Sequence, residues 1–340
     1  MSVTFVDAPG TPRETGRTHG AALAAPLRAF LDDGVARLGH LTDAPLSLDG
    51  LRPSIAAYRA AVTAALPDLA EEVAGLAEGA RLTEDEAWLL QLRRELMGYS
   101  KVRTGGDCTT YARTGPVPVL AQTVDLNGNL DTHITVLRTP RSLVLSFAGL
   151  LGYLGINRAG LAVGLNLVLG GAWGPGVPPY LAIRHLLDRA GSVGEALKLL
   201  ADLPLASSRS LTLCDRERAV YVEHLDGELR VGEGPEAVHT NHFLHPDFAP
   251  ADELNVFARN SSLRRLRAAT EGLAGLAERA SAEDHFAVLA RPPIRVPDRG
   301  DIRAERTVAA VVLFPDAGEL HLRPGDPALG TSRLFTLSTP

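Results

Sequence analysis

The 340-residue sequence has only two cysteines, Cys108 and Cys214, and no run of five residues of like charge. Two isolated cysteines do not suggest a disulfide framework. Basic and acidic residues number 34 and 40, which gives a net charge of −6 and argues against the basic stripe expected of a nucleic-acid-binding protein. No internal repeat or low-complexity segment is present. With 45 % hydrophobic and 22 % charged residues, the composition is typical of a folded globular chain.

A membrane-spanning segment is also missing, although one uncharged stretch is long enough to cross a bilayer. The longest uncharged stretch, residues 159–183, contains six glycines and three prolines, which favour strands and turns over a spanning helix. Residues 1–7 have neither a basic start nor an apolar core, so no secretory signal is expected. The sequence therefore predicts a cytoplasmic protein with no membrane and no nucleic-acid partner, and it leaves a homo-oligomer open.

The chain changes character near residue 105. Before it, apolar residues recur at helical spacing, and a capping box of Thr83 and Glu86 predicts a helix over 87–97. After residue 108, short β-rich runs are bounded by Gly, Pro and Asn, and they end in a hairpin of residues 307–314 and 319–323. Helices are predicted over 179–200, with Ser192 as an internal N-cap, and over 260–289. This order predicts an α+β fold of stacked sheets covered by helices.

Cys108 is the candidate nucleophile. It follows two glycines that let the backbone bend sharply, and it begins a strand, so its thiol can emerge at a sheet edge. The alternative is that Cys108 is a small buried hydrophobic residue, as free cysteine usually is. Cys214 lies within an apolar strand and is expected to be core.

Three histidines at a spacing of three, His239, His242 and His245, form a possible metal motif. In a strand this spacing puts neighbouring side chains on opposite faces, and no cysteine or carboxylate cluster completes a site. No metal and no cofactor is therefore expected. Residues 149–155 resemble a phosphate loop only superficially, because the glycine spacing is wrong.

Several short motifs occur together in one order along the chain. After residue 105 these are residues 106–112 (GDCTTYA), 120–125 (LAQTVD), 155–163 (GINRAGLAV), 176–178 (GVP) and 238–242 (VHTNH). Before it they are residues 16–20 (GRTHG), 72–79 (EVAGLAEG) and 92–96 (LRREL). Together they make the chain resemble the acyl-coenzyme A:6-aminopenicillanic acid acyltransferase family of N-terminal nucleophile hydrolases over nearly its whole length.

The resemblance implies an αββα sandwich made as a precursor that cleaves itself before its cysteine. Residues 1–107 would be the helical pro-region that becomes the α chain, and residues 108–340 the nucleophile-bearing β chain, the two staying together. The implied catalytic residues are the nucleophile Cys108, the aspartate Asp125 beside it, and the oxyanion-hole asparagine Asn241. From the residues alone, Asp125 and Asn241 could equally serve turns.

Processing is where the chain departs from the family pattern. Asp107 stands before the cysteine where penicillin acyltransferase has glycine, and Ser208 resembles, more loosely, a serine linked with maturation. The family's late arginine has three alternatives here, Arg295, Arg303 and Arg306.

The resemblance predicts a self-processing cysteine amidohydrolase or acyltransferase that acts on small-molecule amides or acyl thioesters through an acyl-Cys108 intermediate. Once cleavage frees the Cys108 amine, that amine can act as the base for its own thiol. One alternative is an amidase like penicillin V acylase or bile-salt hydrolase. The other is an uncleaved binding protein of the same fold.

Overall fold

The computed structural model describes residues 2–98 and 108–337. The N-terminal part contains one strand, β1 (Thr4–Asp7), followed by the helices α1 (Pro12–Asp32), α2 (Leu38–Leu41), α3 (Leu48–Ala65), α4 (Pro67–Ala80) and α5 (Glu84–Met97). The predicted capping box is present at the start of α5, where the Thr83 hydroxyl accepts from the Glu86 amide and the Glu86 carboxylate accepts from the Thr83 amide. The predicted helical character of this part is confirmed, whereas β1 was not predicted.

The remaining elements alternate between groups of strands and pairs of helices. In chain order they are β2 (Thr109–Arg113), β3 (Val119–Leu126), β4 (Ile134–Arg138), β5 (Ser142–Phe147), β6 (Leu154–Asn157), β7 (Ala162–Asn166), α6 (Pro179–Arg189), α7 (Val193–Ala201), β8 (Arg209–Cys214), β9 (Ala219–Leu225), β10 (Glu228–Gly234), β11 (Glu236–His239), α8 (Val256–Ala274), α9 (Ala282–Leu289), β12 (Arg306–Phe314), β13 (Glu319–Pro324) and β14 (Arg333–Thr336). Ser192 caps α7 as predicted. The stretch 260–289 is divided into α8 and α9, and α8 begins earlier than predicted.

The strands form two sheets. One has eight strands in the order β1-β4-β5-β6-β7-β8-β9-β10, and the other has six in the order β11-β2-β3-β12-β13-β14. The sheets lie face to face, because the Gln122 side chain on β3 donates to the carbonyl of Leu165 on β7 (2.8 Å) and accepts from its amide (3.0 Å). A glutamine side chain that pairs with the backbone of the opposite sheet fixes the relative position of the two layers.

Helices cover both outer faces. Apolar side chains of α8 and α9, including Leu273 and Phe286, pack with residues of the six-stranded sheet such as Tyr111. Helices α6 and α7 lie against the eight-stranded sheet. The result is the predicted four-layer αββα arrangement. Within the described residues, none of the helices is long and apolar enough to cross a membrane.

Helices α1 and α4 touch backbone to backbone through glycines. A Cβ on Gly16 would lie 2.0 Å from the carbonyl oxygen of Glu72, and one on Gly75 would lie 2.1 Å from that of Arg13. Any side chain at these positions would force the helices apart. The glycines of the motifs 16–20 and 72–79 therefore have a packing function.

Candidate active site

Cys108 lies immediately before β2, which pairs with β11 and β3 in the six-stranded sheet. Its residue surface is only 5 % exposed. The Sγ atom accepts a hydrogen bond from the Asp125 amide at 3.3 Å, and it lies 4.0 Å from the Tyr153 hydroxyl. The antiparallel pairing of β2 with β3, in which Thr109 faces Thr123, brings Cys108 beside Asp125. The thiol is thus held in place by the backbone of the adjacent strand.

The Asp125 carboxylate is near the end of β3 and 3 % exposed. Its Oδ2 atom accepts a hydrogen bond from the Thr123 hydroxyl at 3.3 Å. The oxygen of that hydroxyl accepts in turn from the Thr109 amide at 3.2 Å. Thr123 on β3 therefore orients the Asp125 carboxylate directly, and Thr109 on β2 does so through Thr123.

Asn241 follows β11 and is fully buried. Its Oδ1 accepts from Arg265 Nη2 at 3.0 Å, and its Nδ2 donates one hydrogen to the Leu167 carbonyl at 2.9 Å. Because a guanidinium only donates and a carbonyl only accepts, these two contacts fix which end of the amide is which. The second N–H of Nδ2 can therefore donate a hydrogen bond to a group in the cleft that Asn241 lines.

Arg265 connects these groups from α8. Besides Asn241, its Nη1 atom donates to the backbone carbonyl of Cys108 at 2.6 Å and to the Thr109 hydroxyl at 3.2 Å. One turn earlier on α8, the Ser262 hydroxyl accepts a hydrogen bond from the backbone N–H of Asn241 at 2.8 Å. A single helix face thus positions both the backbone of Cys108 and the side chain of Asn241.

Sequence reasoning missed Arg265. A signal was present, because Arg265 belongs to the buried stripe of α8, which otherwise consists of small and apolar residues: Ala258, Ser262, Ala269 and Leu273. An arginine in such a stripe needs buried acceptors, since burial of an unpaired charge is costly. The sequence could not reveal that two of the acceptors, on Cys108 and Thr109, lie more than 150 residues upstream.

The environment of the thiol keeps it protonated. Burial and, to a smaller extent, the neighbouring Asp125 carboxylate raise the pKa of Cys108 to about 12, against a lowering by the backbone amide of Asp125. Burial also raises the pKa of Tyr153 well above its ordinary value. Formation of a thiolate in this cleft therefore requires a nearby base that takes the thiol proton and whose protonated form is stabilised there.

The cleft around Cys108 is narrow, with a cavity volume of about 80 Å³. Apolar side chains line much of the cleft: Leu90, Met97, Leu126, Leu130, Phe147, Leu150, Leu165 and Leu167. Charged residues occur as well: Arg93, Arg94 and Arg209 against Asp125 and Glu305. The cleft therefore combines an apolar lining with more basic than acidic side chains.

The other sequence-predicted residues lie elsewhere. Ser208 is buried before β8, where its hydroxyl donates to the Val168 carbonyl (2.8 Å) and accepts from the Trp173 indole (3.0 Å). Asp107 lies outside the described residues. None of the three late arginines lines the cleft: Arg295 pairs with Asp326, Arg303 with Asp43, and Arg306 with Asp131 and Asp298.

The histidines of the possible metal motif have structural partners. His239 Nε2 lies 2.8 Å from the Glu223 carboxylate, and His242 Nδ1 lies 2.7 Å from the Ser262 hydroxyl. No group of three or more potential metal ligands occurs in the part of the chain that the structure describes. Cys214 is fully buried on β8, so its prediction as a core residue is confirmed.

Comparison with known proteins places these observations in a family. Over 257 residues the chain is 27 % identical to the acyl-coenzyme A:6-aminopenicillanic-acid-acyltransferase 40 kDa form of Emericella nidulans. The aligned region covers 72 % of this chain and 71 % of the relative. Similar solved structures include penicillin V acylase from Agrobacterium tumefaciens, with 16 % identity and a TM-score of 0.47 over 68 % of this chain and 86 % of that one. Another is the Caenorhabditis elegans ortholog of N-acylethanolamine-hydrolyzing acid amidase, with 17 % identity and a TM-score of 0.47 over 62 % and 93 %.

The model of one protein family matches residues 112–289, just over half of the chain. The match spans the strands from β2 to β11 and the helices α6 to α9, including Asp125, Asn241 and Arg265. The chain therefore belongs to the acyl-coenzyme A:6-aminopenicillanic acid acyltransferase family.

Proposed function

We propose that this chain is a self-processing cysteine amidohydrolase or acyltransferase in which Cys108 attacks an amide or acyl-thioester carbonyl. The observation that carries the proposal is the convergence of the Cys108 thiol, the Asp125 carboxylate and the Asn241 amide on one cleft. A nucleophile, a carboxylate and a neutral donor are the groups that acyl transfer requires.

Maturation begins with the Cys108 thiol attacking the carbonyl carbon of Asp107. The C–N bond between the two residues breaks as a C–S bond forms, and the nitrogen of Cys108 gains a proton. One water molecule then hydrolyses the thioester. The products are a chain of residues 1–107 and a chain of residues 108–340 with a free amine on Cys108. Ser208, which braces Trp173 and the Val168 backbone, is assigned an indirect part in this step.

The new amine supplies a base next to the Cys108 thiol. An α-amino group titrates near pH 8, roughly, whereas burial holds the thiol of the intact chain protonated. Asp125, next to the sulfur, favours the charged ammonium that forms when the amine takes the thiol proton. The carboxylate that opposes a thiolate in the intact chain thus assists its formation after cleavage.

The thiolate attacks the substrate carbonyl and generates a tetrahedral oxyanion. The free N–H of Asn241 donates to that oxygen, a type of contact that contributes about 3 kcal/mol to the transition state. Arg265 acts as a positioning residue, since it holds Oδ1 of Asn241 and the carbonyl of Cys108. Collapse expels the amine or thiol, and water or an acceptor amine then resolves the acyl-Cys108.

The two chains have reasons to stay together after cleavage. β1 pairs in parallel with β4, which lies on the other side of the cut. Glu72 on α4 forms a doubly hydrogen-bonded ion pair with Arg184 on α6, at 2.8 and 2.9 Å, in a buried environment. The Gln91 side chain bonds the backbone of Gly149 and of Leu151. The N-terminal part is therefore integral to the fold.

The decisive experiment compares Cys108→Ala with Cys214→Ala, two equal changes at the two cysteines of the chain. Intact-mass measurement of the purified proteins is expected to show two fragments, 1–107 and 108–340, for wild type and Cys214→Ala, and one full-length chain for Cys108→Ala. Turnover of a chromogenic acyl-4-nitroanilide is expected only in the first two proteins. Full activity of Cys108→Ala would refute the nucleophile, and an uncut, inactive wild type would favour the binding-protein alternative.

A further inference from the structure

After β11 the chain has no regular secondary structure over residues 240–245, the segment that carries Asn241. Backbone N–H groups that lie outside helices and sheets need other acceptors when they are buried. The N–H groups of Leu244 and His245 both donate to the carboxylate of Glu223, a residue of β9 in the opposite sheet, at 2.5 and 3.0 Å. One side chain of the eight-stranded sheet therefore holds the part of the segment that follows Asn241.

The same carboxylate holds the residue that precedes the segment. His239 is the last residue of β11, and its Nε2 atom lies 2.8 Å from Glu223. Its Nδ1 atom lies 2.8 Å from the carbonyl of Thr240; because a carbonyl only accepts, Nδ1 donates, and the orientation of the ring is fixed. Both His239 and Glu223 are fully buried. Glu223 thus binds the chain before and after Asn241.

The arrangement requires an ionised Glu223. Burial alone raises the pKa of this carboxyl, but hydrogen bonds from His239, Leu244 and His245 lower the pKa below its ordinary value. An ionised carboxylate has two oxygens that only accept, so it can receive all three donors. A glutamine at this position would offer one accepting oxygen and would turn an NH2 group toward other donors. The bonding therefore depends on the carboxylate and not merely on the size of the side chain.

Glu223 acts at a distance from the reacting groups. Among the described residues it is not part of the cleft lining, which Cys108 and Asn241 share. Contacts with Leu167 and Arg265 orient the amide of Asn241, whereas Glu223 holds the backbone from which that amide projects.

We propose that Glu223 is a positioning residue for acyl transfer, which fixes the segment 240–245 so that the free N–H of Asn241 meets the oxyanion. This inference rests on the proposed function, to which it adds a residue that acts through Asn241. The loss of kcat on removal of Glu223 therefore cannot exceed the loss on removal of the Asn241 donor itself.

Glu223→Gln tests the proposal by kinetics on an acyl-4-nitroanilide. We expect kcat, referred to the amount of cleaved chain, to fall about 10- to 100-fold, as for a catalytic group displaced by about 1 Å. KM should change little, because the oxyanion contact gains its strength in the transition state. The control is Glu72→Gln, the same change at a buried carboxylate of the described chain that pairs with Arg184 and does not line the cleft. We expect its kcat to stay within about threefold of wild type.

A double-mutant cycle separates positioning from a general loss of structure. Adding Glu223→Gln to Asn241→Ala is expected to change kcat by less than about threefold, because the donor that Glu223 positions is already gone. An equal loss of kcat in both backgrounds would refute the positioning role.

Glu223→Asp provides the same test if Glu223→Gln does not fold. It keeps the charge but withdraws the carboxylate by one methylene, so it is expected to lower kcat about threefold or more and to give the same cycle. A wild-type kcat in either variant would overturn the proposal.

A structural measurement tests the inference without turnover. Crystal structures of wild type and of the folded Glu223 variant, in one crystal form, give the position of Asn241 Nδ2 relative to Cys108 Sγ. We expect this position to shift by about 1 Å or more in the variant. An unmoved Asn241 would refute the positioning role, whatever the activity. A displaced Asn241, in a protein whose wild type turns over no amide, would refute the proposed function and leave the link between Glu223 and Asn241 in place.

Discussion

Substitution of Asn241 by alanine gives the sharpest quantitative test of the site. The side chain spends one N–H on the Leu167 carbonyl and its oxygen on Arg265, so one N–H remains for an oxyanion. Loss of one such donor costs about 3 kcal/mol in the transition state, or roughly 150-fold in kcat. KM should change little, because the contact strengthens only when the carbonyl oxygen becomes charged. Steady-state kinetics on an acyl-4-nitroanilide measure both parameters.

Asn166→Ala is the matched control. Asn166 ends β7 and is fully buried, but it does not line the cleft, and neither of its side-chain polar atoms has a hydrogen-bond partner. We expect its kcat to stay within about threefold of wild type. Urea unfolding of both variants separates catalysis from stability, because Asn241→Ala also leaves two buried groups unpaired at about 1–3 kcal/mol each. If the chemical step limits turnover and the kcat of Asn241→Ala is still close to that of wild type, the oxyanion role of Asn241 is refuted.

Two further predictions concern stability. Gly16→Ala should lower the free energy of unfolding by about 1–3 kcal/mol or more, because its Cβ would overlap the Glu72 carbonyl. The control Gly194→Ala, whose Cβ has no neighbour nearer than 3.8 Å, should raise the free energy of unfolding by up to about 1 kcal/mol. Urea denaturation measures both values, and equal effects would contradict the packing argument. Burial lowers the pKa of His19 to about 3, with help from Arg184, so its contribution is present above pH 6.5 and is lost as pH falls, by about 1.4 kcal/mol per unit. Unfolding at pH 6.5 and 4.5 should show a loss about 3 kcal/mol smaller in His19→Leu, and an unchanged loss would show that this histidine is not the group that titrates.

Local features were predictable from the sequence. The capping box of Thr83 and Glu86 starts α5 because both partners lie within one turn. The hairpin of β12 and β13 likewise connects adjacent segments. Cys108 and Asp125 meet because consecutive strands β2 and β3 pair. In each case the interacting groups are close in sequence, so a local pattern carries the information.

Features that depend on distant pairing were not predictable in this way. β1 has one buried residue, Val6, and is a strand only because it pairs with β4 about 130 residues later. Arg265 reaches Cys108 across 157 residues, and no periodicity connects them. Asn241 was found through the resemblance of its motif to a family. The nucleophile, the carboxylate, the asparagine and the processing residues Asp107 and Ser208 keep their assigned roles as predictions.

The parallel pairing of β1 with β4 has a consequence for how the protein can be made. β4 would be the outermost strand of the eight-stranded sheet without β1, and its backbone N–H and C=O groups would face solvent. Such an open border recruits strands from other molecules. Expression of residues 108–340 alone would give an N-terminal cysteine without cleavage, but it would also leave β4 as an unpaired edge strand. The upstream segment therefore covers a sheet edge that residues 108–340 alone would leave unpaired.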